Sequence, residues 1–246
     1  ASLAKGKTII ENAAVEPEIE DLCLCLNSMG AKITGIGKNK IIIQGVNELK
    51  DVVYSIIPDR IVAGTFLISA LITQGSLTLK KVNPKHLKCP ISILKKIGAK
   101  IKINIDSIYI DAKNGKLKPI DIVTEPYPGF PTDLQAQFMS LLSLVKGNST
   151  IQEKIFENRF MHVSELNRLG ASIIVKKDKA MIKGVHNLIG APVMASDLRA
   201  SVSLLLAGMA AEGETTINRI YHLDRGYEKI ENKLKNIGIK IKRFKR

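Results

Sequence analysis

The chain has 246 residues, 45% of them hydrophobic, enough for a substantial core and for one or two domains. Its 37 Lys and Arg against 23 Asp and Glu give a net charge of +14, but the lysines are scattered and only 4% of residues are aromatic. That pattern favours a solvated surface or small anionic ligands over nucleic acid, and no apolar run is long enough to span a membrane.

In chain order, ASLAKG (1–6) reads as the end of a helix whose opening turn is missing. TIIEN predicts a strand, LNSMG closes a helix at Gly30, and KITGIG and KIIIQG alternate as strands do. The helix in PDRIVAGTFLISALITQG (58–75) opens at Asp59; SLTLKKV, a helix through LKKIG and the strands of KINIDSIYID follow. The same series returns in PTDLQAQFMSLLSLVKG from Asp133, STIQEKI and ELNRLG, and again in SDLRASVSLLLAGMAAEG from Asp197, TTINRI and IENKLKNIG. The terminal KIKRFKR (240–246) reads as an amphipathic edge strand with a basic outer face. Cys23, Cys25 and Cys89 are odd in number and lack paired spacing, which argues against disulfides and fits a reducing cytoplasm. Neither they nor the dispersed histidines make a metal-ligand pattern, so no metal or cofactor is expected.

These series are a repeat. A Gly-Ala-Lys-Ile-like phrase recurs at Gly30, Gly98, Gly170 and Gly238, at spacings of 68, 72 and 68 residues. Such self-similarity means supersecondary units that stack or pack symmetrically. We therefore expect a partial unit over 1–57 and a second domain of three complete units over 58–246. The opening helices are apolar nearly all round and should be buried on every side, whereas the second helices are amphipathic. The expected architecture is three βαβαββ units about a pseudo-threefold axis, with the buried helices inside and the sheets outside.

In such units the helix N-termini share one end of the layer. Repeat arithmetic gathers Asp59, Arg60, Thr132, Asp133, Asp197 and Arg199 there. Twelve residues past the unit glycines it adds Glu18, Arg159 and Arg225, with uncharged Leu87 at the fourth position. A cation at a helix N-terminus opposes the macrodipole unless an anion binds, so three arginines on one rim point to an anion site. The alternative is that Arg159 pairs with Glu157 and Arg225 with Asp224. Asp is a good N-cap, and that role suits Asp59 and Asp197. Only Asp133 sits in the frame YPGFPT, where Pro128, Gly129 and Pro131 fix the backbone, and a general base beside an anion cradle suits it. His162 and His222 read as structural, and Phe130 and Phe156 as loop packing.

The phrases IIENAAVEPEIEDL, PDRIVAGTFL, YPGFPTDLQAQ, IFENRFMHVSELNRLGA, VMASDLRAS and RIYHLDRGYEKIE resemble the UDP-N-acetylglucosamine enolpyruvyl transferases over nearly the whole chain. The resemblance implies an inside-out α/β barrel. It implies transfer of the enolpyruvyl group of phosphoenolpyruvate to the 3-hydroxyl of UDP-N-acetylglucosamine, without cofactor, in the cytoplasm. That step opens peptidoglycan synthesis and so serves cell-wall biogenesis, cell shape and division. On this resemblance Asp133 would contact the sugar and take its 3-hydroxyl proton. Ile155 would touch the nucleotide sugar, and Arg159, Arg199 and Arg225 would hold the phosphate and carboxylate of phosphoenolpyruvate. Glu16, Glu18, Asp59, Thr132, Phe156 and Asp197 would support them. The family's Lys-Asn pair and its proton-donor loop have no counterpart here. The chain is therefore expected to be inactive alone, and to need its N-terminal part, as a separate chain or a longer parent. A nucleotide-sugar binding module without chemistry is the alternative; neither nucleic acid nor membrane is an expected partner.

Overall fold

The computed structural model describes residues 1–113 and 115–244. Residues 1–6 form turns, not the end of a helix. Strand β1 (Lys7–Glu11), helix α1 (Pro17–Ser28), β2 (Lys32–Thr34) and β3 (Lys40–Gln44) follow, and the three strands form one antiparallel sheet in the order β1-β3-β2. Cys23, Ala31, Ile33, Ile41 and Ile43 give this segment a hydrophobic cluster of its own. Helix α2 (Arg60–Ile72), β4 (Ser76–Lys80), α3 (Lys88–Ile97), β5 (Lys100–Ile103) and β6 (Ser107–Asp111) make the next unit, with sheet order β4-β6-β5.

Strand β7 (Ile122–Val123), α4 (Gln135–Leu142), β8 (Asn148–Gln152), α5 (Val163–Arg168), β9 (Ser172–Lys176) and β10 (Lys179–Lys183) complete a βαβαββ unit. Its sheet runs β7-β8-β10-β9, with β7 parallel to β8. Strand β11 (Pro192–Met194), α6 (Leu198–Ala210), β12 (Thr216–Asn218), α7 (Tyr221–Asp224) and α8 (Ile230–Asn236) form the last unit, in which β11 and β12 pair in parallel. The expectation of three complete units is corrected. Among the described residues the first of the three lacks a leading strand and the last lacks its two closing strands. Residues 240–244 carry no strand, so the edge-strand reading fails there; Lys245 and Arg246 lie outside the described residues.

The helices that open the units are the interior. All eight residues of α4 are buried, as are ten of α2 and eight of α6. Each of α2, α4 and α6 touches the other two, and β4, β6, β8, β10 and β12 pack against them. The apolar faces exclude water; burying one large aliphatic side chain is worth about 1.5–3 kcal/mol. Close approach of α2 to the loop before α4 depends on Gly64. A Cβ there would lie 2.7 Å from Cδ1 of Leu134, itself fully buried. We expect Gly64→Val to cost about 1–3 kcal/mol by overpacking, more than any gain in helix propensity returns. Urea unfolding would check this; an unchanged midpoint would mean that Leu134 moves aside freely.

Candidate active site

The parallel pair β7–β8 brings the chain ends at 123 and 152 side by side, and each leads into a loop. The first loop leaves Thr124, passes a cis Tyr127–Pro128 bond and returns at Phe130, where Thr124 and Phe130 bridge. The Glu125 N–H donates to the Phe130 carbonyl at 2.9 Å. Phe130 is the anchor: it is buried and meets the Phe138 ring edge-on at 4.9 Å. Thr132–Leu134 then make one 3-10 turn into α4.

This frame delivers Asp133 without spending its carboxylate on the helix. Asp59 accepts from the N–H groups of Ile61 and Val62, and Asp197 from those of Arg199 and Ala200, so both cap their helices. Asp133 makes no cap bond. Its Oδ1 instead accepts from Arg159 Nη2 at 2.8 Å and its Oδ2 from Arg199 Nη2 at 2.6 Å. The two guanidinium groups come from different units and meet on one carboxylate. Burial pushes the Asp133 carboxyl up, but Arg199 and Arg159 together outweigh it and hold it below the ordinary value.

Arg159 is held three ways. Its Nη1 donates to Thr132 Oγ1 at 2.7 Å, and its guanidinium lies 4.9 Å from the Phe156 ring centre, a cation–π distance. Asn158, at φ 56°, turns the chain just before it. The pairing of Arg159 with Glu157 is therefore not formed. Ile155 and Phe156 are exposed and line a groove of about 310 Å³ with Asn158, Lys177 and Asp178. His162 lies behind this loop, 3% exposed, and burial depresses its pKa to about 4.

Arg225 is placed otherwise than its repeat position predicts. It closes α7 instead of opening a helix, so the dipole favours its charge there. Asp224 pairs with Arg243 at 2.7 Å, not with Arg225. Gly226 abuts Leu198, which brings the backbone after Arg225 beside the start of α6, but the Arg225 side chain is exposed and makes no hydrogen bond to Asp133. Glu18 pairs with Arg60 at 2.8 Å, and Glu16 precedes α1 with no cap bond. His222 stacks on Tyr221 and is not part of the cluster.

Sequence reading missed Glu153. It is 6% exposed, and four donors converge on it: the hydroxyls of Thr124 (2.6 Å) and Thr132 (2.7 Å) and the N–H groups of Ile155 (2.9 Å) and Phe156 (3.1 Å). A signal existed. Alternation along β8 buries Ser149 and Ile151, so the next inward position is Glu153, a charge where a core residue is due.

A model of the EPSP synthase (3-phosphoshikimate 1-carboxyvinyltransferase) family matches residues 1–234. The UDP-N-acetylglucosamine 1-carboxyvinyltransferase of Hydrogenovibrio crunogenus is 53% identical over 243 residues, 99% of this chain and 58% of that protein. That of Pelagibacter ubique is 55% identical over 244 residues, again 99% and 58%. The crystal structure of the enolpyruvyl transferase NikO from Streptomyces tendae superposes with a TM-score of 0.87 at 25% identity, over 98% of this chain and 57% of that one. EPSP synthase from Acinetobacter baumannii gives 0.73 at 20% identity, which shows a shared fold alone. The chain thus spans less than three fifths of the length of these relatives. Among the described residues no helix is long and apolar enough to cross a membrane, and no three His, Cys, Asp or Glu side chains cluster as metal ligands. With its family model matched from residue 1 to residue 234, the chain belongs to the EPSP synthase (3-phosphoshikimate 1-carboxyvinyltransferase) family.

Proposed function

We propose that this chain is the C-terminal portion of an enzyme that transfers the enolpyruvyl group of phosphoenolpyruvate to the 3-hydroxyl of UDP-N-acetylglucosamine, the opening step of peptidoglycan synthesis. The observation that carries the reading is the Asp133 carboxylate bridged by Arg159 and Arg199. Two guanidinium groups that converge on one internal carboxylate can converge equally on a phosphate or carboxylate of substrate. Such an exchange frees Asp133 as an acceptor for a hydroxyl proton. Arg225 would join them only by swinging in from its exposed position. The packing of α2, α4 and α6 with sheets around them supports the inside-out barrel. The relatives' names support the substrate pair, and this chain's share of their length supports a need for further residues to complete the site.

The test joins this sequence to the N-terminal segment of a curated relative and follows phosphate release from phosphoenolpyruvate. Release that depends on UDP-N-acetylglucosamine, and is absent from the chain alone, is the expected result. Release with shikimate 3-phosphate instead would sink the substrate assignment. A binding module is the second reading, favoured by the groove beside Ile155 and Phe156. It predicts calorimetric binding of UDP-N-acetylglucosamine by the chain alone and no turnover by the joined protein.

A further inference from the structure

The exposed part of the site is a cluster of charges, but its alignment originates one layer deeper. We propose that Glu153 is the positioning residue of this site: through the Thr132 hydroxyl it sets the Arg159 guanidinium, and through two backbone amides it fixes the loop of Ile155 and Phe156. The proposal rests on the reading of Asp133 and Arg159 as the reacting centre.

The argument is one of hydrogen-bond polarity. An ionised carboxylate only accepts, so each hydroxyl that meets Glu153 must donate to it. Thr132 therefore gives its proton to Oε2 and turns a lone pair outward, where Arg159 Nη1 donates at 2.7 Å. Thr124 gives its proton to Oε1 and turns a lone pair to the N–H of Lys154 at 2.8 Å. On Oε1 the same carboxylate takes the N–H groups of Ile155 and Phe156. Three separate pieces of chain are tied by one side chain: the end of β7, the 3-10 turn that carries Asp133, and the loop that carries Arg159. The charged groups that face Asp133 are Arg159 and Arg199, and only Arg159 is reached through Thr132.

A purely structural carboxylate would serve equally well if its donors led nowhere. Here one donor leads directly to the guanidinium on Asp133. Replacement by Gln keeps the shape but puts an NH2 group where at least one donor now points. Oε1 with three donors is the more demanding side, so the amide nitrogen turns to Thr132. The Thr132 hydroxyl then accepts from it, and its own proton, no longer taken by a carboxylate, must turn to one of the two remaining positions, where it competes with the Arg159 N–H for the lone pair that now receives it.

The experiment is a double-mutant cycle with two readouts. The first, free of substrate, is a 13C NMR titration of the Asp133 carboxyl in the intact protein. Glu153→Gln and Thr132→Val should each move its midpoint upward, by similar amounts, because Arg159 is no longer held against it. The double variant should move it no further, since both act on one path. Thr132→Ser, which keeps the hydroxyl, should leave it in place. The second readout is kcat in the enzyme completed at its N-terminal side, expected to fall about tenfold in each single variant and not to fall multiplicatively in the double. Additive shifts, or a midpoint unmoved by Thr132→Val, would overturn the proposal. Should Glu153→Gln not fold, a midpoint unmoved by Thr132→Val still overturns the proposal. Absence of turnover in the wild type would count against the proposed function alone, because the titration needs no chemistry.

Discussion

Asp133→Asn should lower kcat by about 10²–10⁴-fold in the completed enzyme, the range that loss of a general base produces. The variant is close in shape, and Phe130 and Leu134, both buried, anchor the turn on either side, so the fold should stand. What changes is the ability to take a proton. The carboxylate is a weak base as it stands, since Arg199 and Arg159 hold it below the ordinary range against the effect of its own burial. Binding should alter that. If phosphoenolpyruvate claims the two guanidinium groups, as proposed, Asp133 loses the cations that depress it, and its pKa rises. The acid limb of kcat, which reports the complex, should therefore lie at higher pH than that of kcat/KM, which reports the free enzyme. Activity of the Asn variant within tenfold of wild type would remove Asp133 from the chemistry. Coincident acid limbs would show that the arginines never leave it.

How far the sequence carried this site depended on which forces were local. Helix capping is local, and Asp59 and Asp197 cap as their positions before helical runs suggested. The repeat placed Asp133, Arg159 and Arg199 near one another because equal offsets in similar units fall at equal places on a scaffold, and the three side chains do meet. The same arithmetic misplaced Arg225 relative to its helix. Its unit carries the short α7 ahead of α8, so an equal offset marks a helix end there and a loop in the unit before. The terminal strand failed over the described residues 240–244 for a related reason. KIKRFKR alternates, but pairing needs a neighbouring strand. Arg243 instead turns to Asp224 and Glu231 at 2.7 and 3.0 Å. Glu153 escaped notice because the run STIQEKI was read for its β propensity. Its meaning lies in partners 21 and 29 residues away, Thr132 and Thr124, which no local pattern reports.

Acid should destabilise the fold well above the range where carboxylates titrate, and His162 should be the main cause. The residue is 3% exposed and precedes α5 without a cap bond. Burial lowers its pKa to about 4, with Asp197 pulling upward and Arg159 pushing further down. The folded pKa thus lies below the value of 6.5 for the unfolded chain. Between the two values the unfolded chain binds a proton that the folded chain refuses, so stability rises with pH and is lost as pH falls from about 6.5 toward 4. At about 1.36 kcal/mol per unit, the full loss is about 3 kcal/mol, of which about 2 is gone by pH 5. The depressed carboxyls of Asp133, Asp178 and Asp224 act in a separate window, below their ordinary value of 3.8. His86 is also lowered by burial and shares the upper window, so the discriminating comparison is with His162→Gln. Urea unfolding at about pH 7.5 and pH 5 should show most of the loss in the wild type and little of it in the variant. Equal losses in both would assign the acid sensitivity to His86 or to diffuse charge repulsion. A loss confined to the wild type would mean that His162 must stay neutral in the folded chain, chiefly because burial disfavours its charged form and Asp197 does not make up the difference.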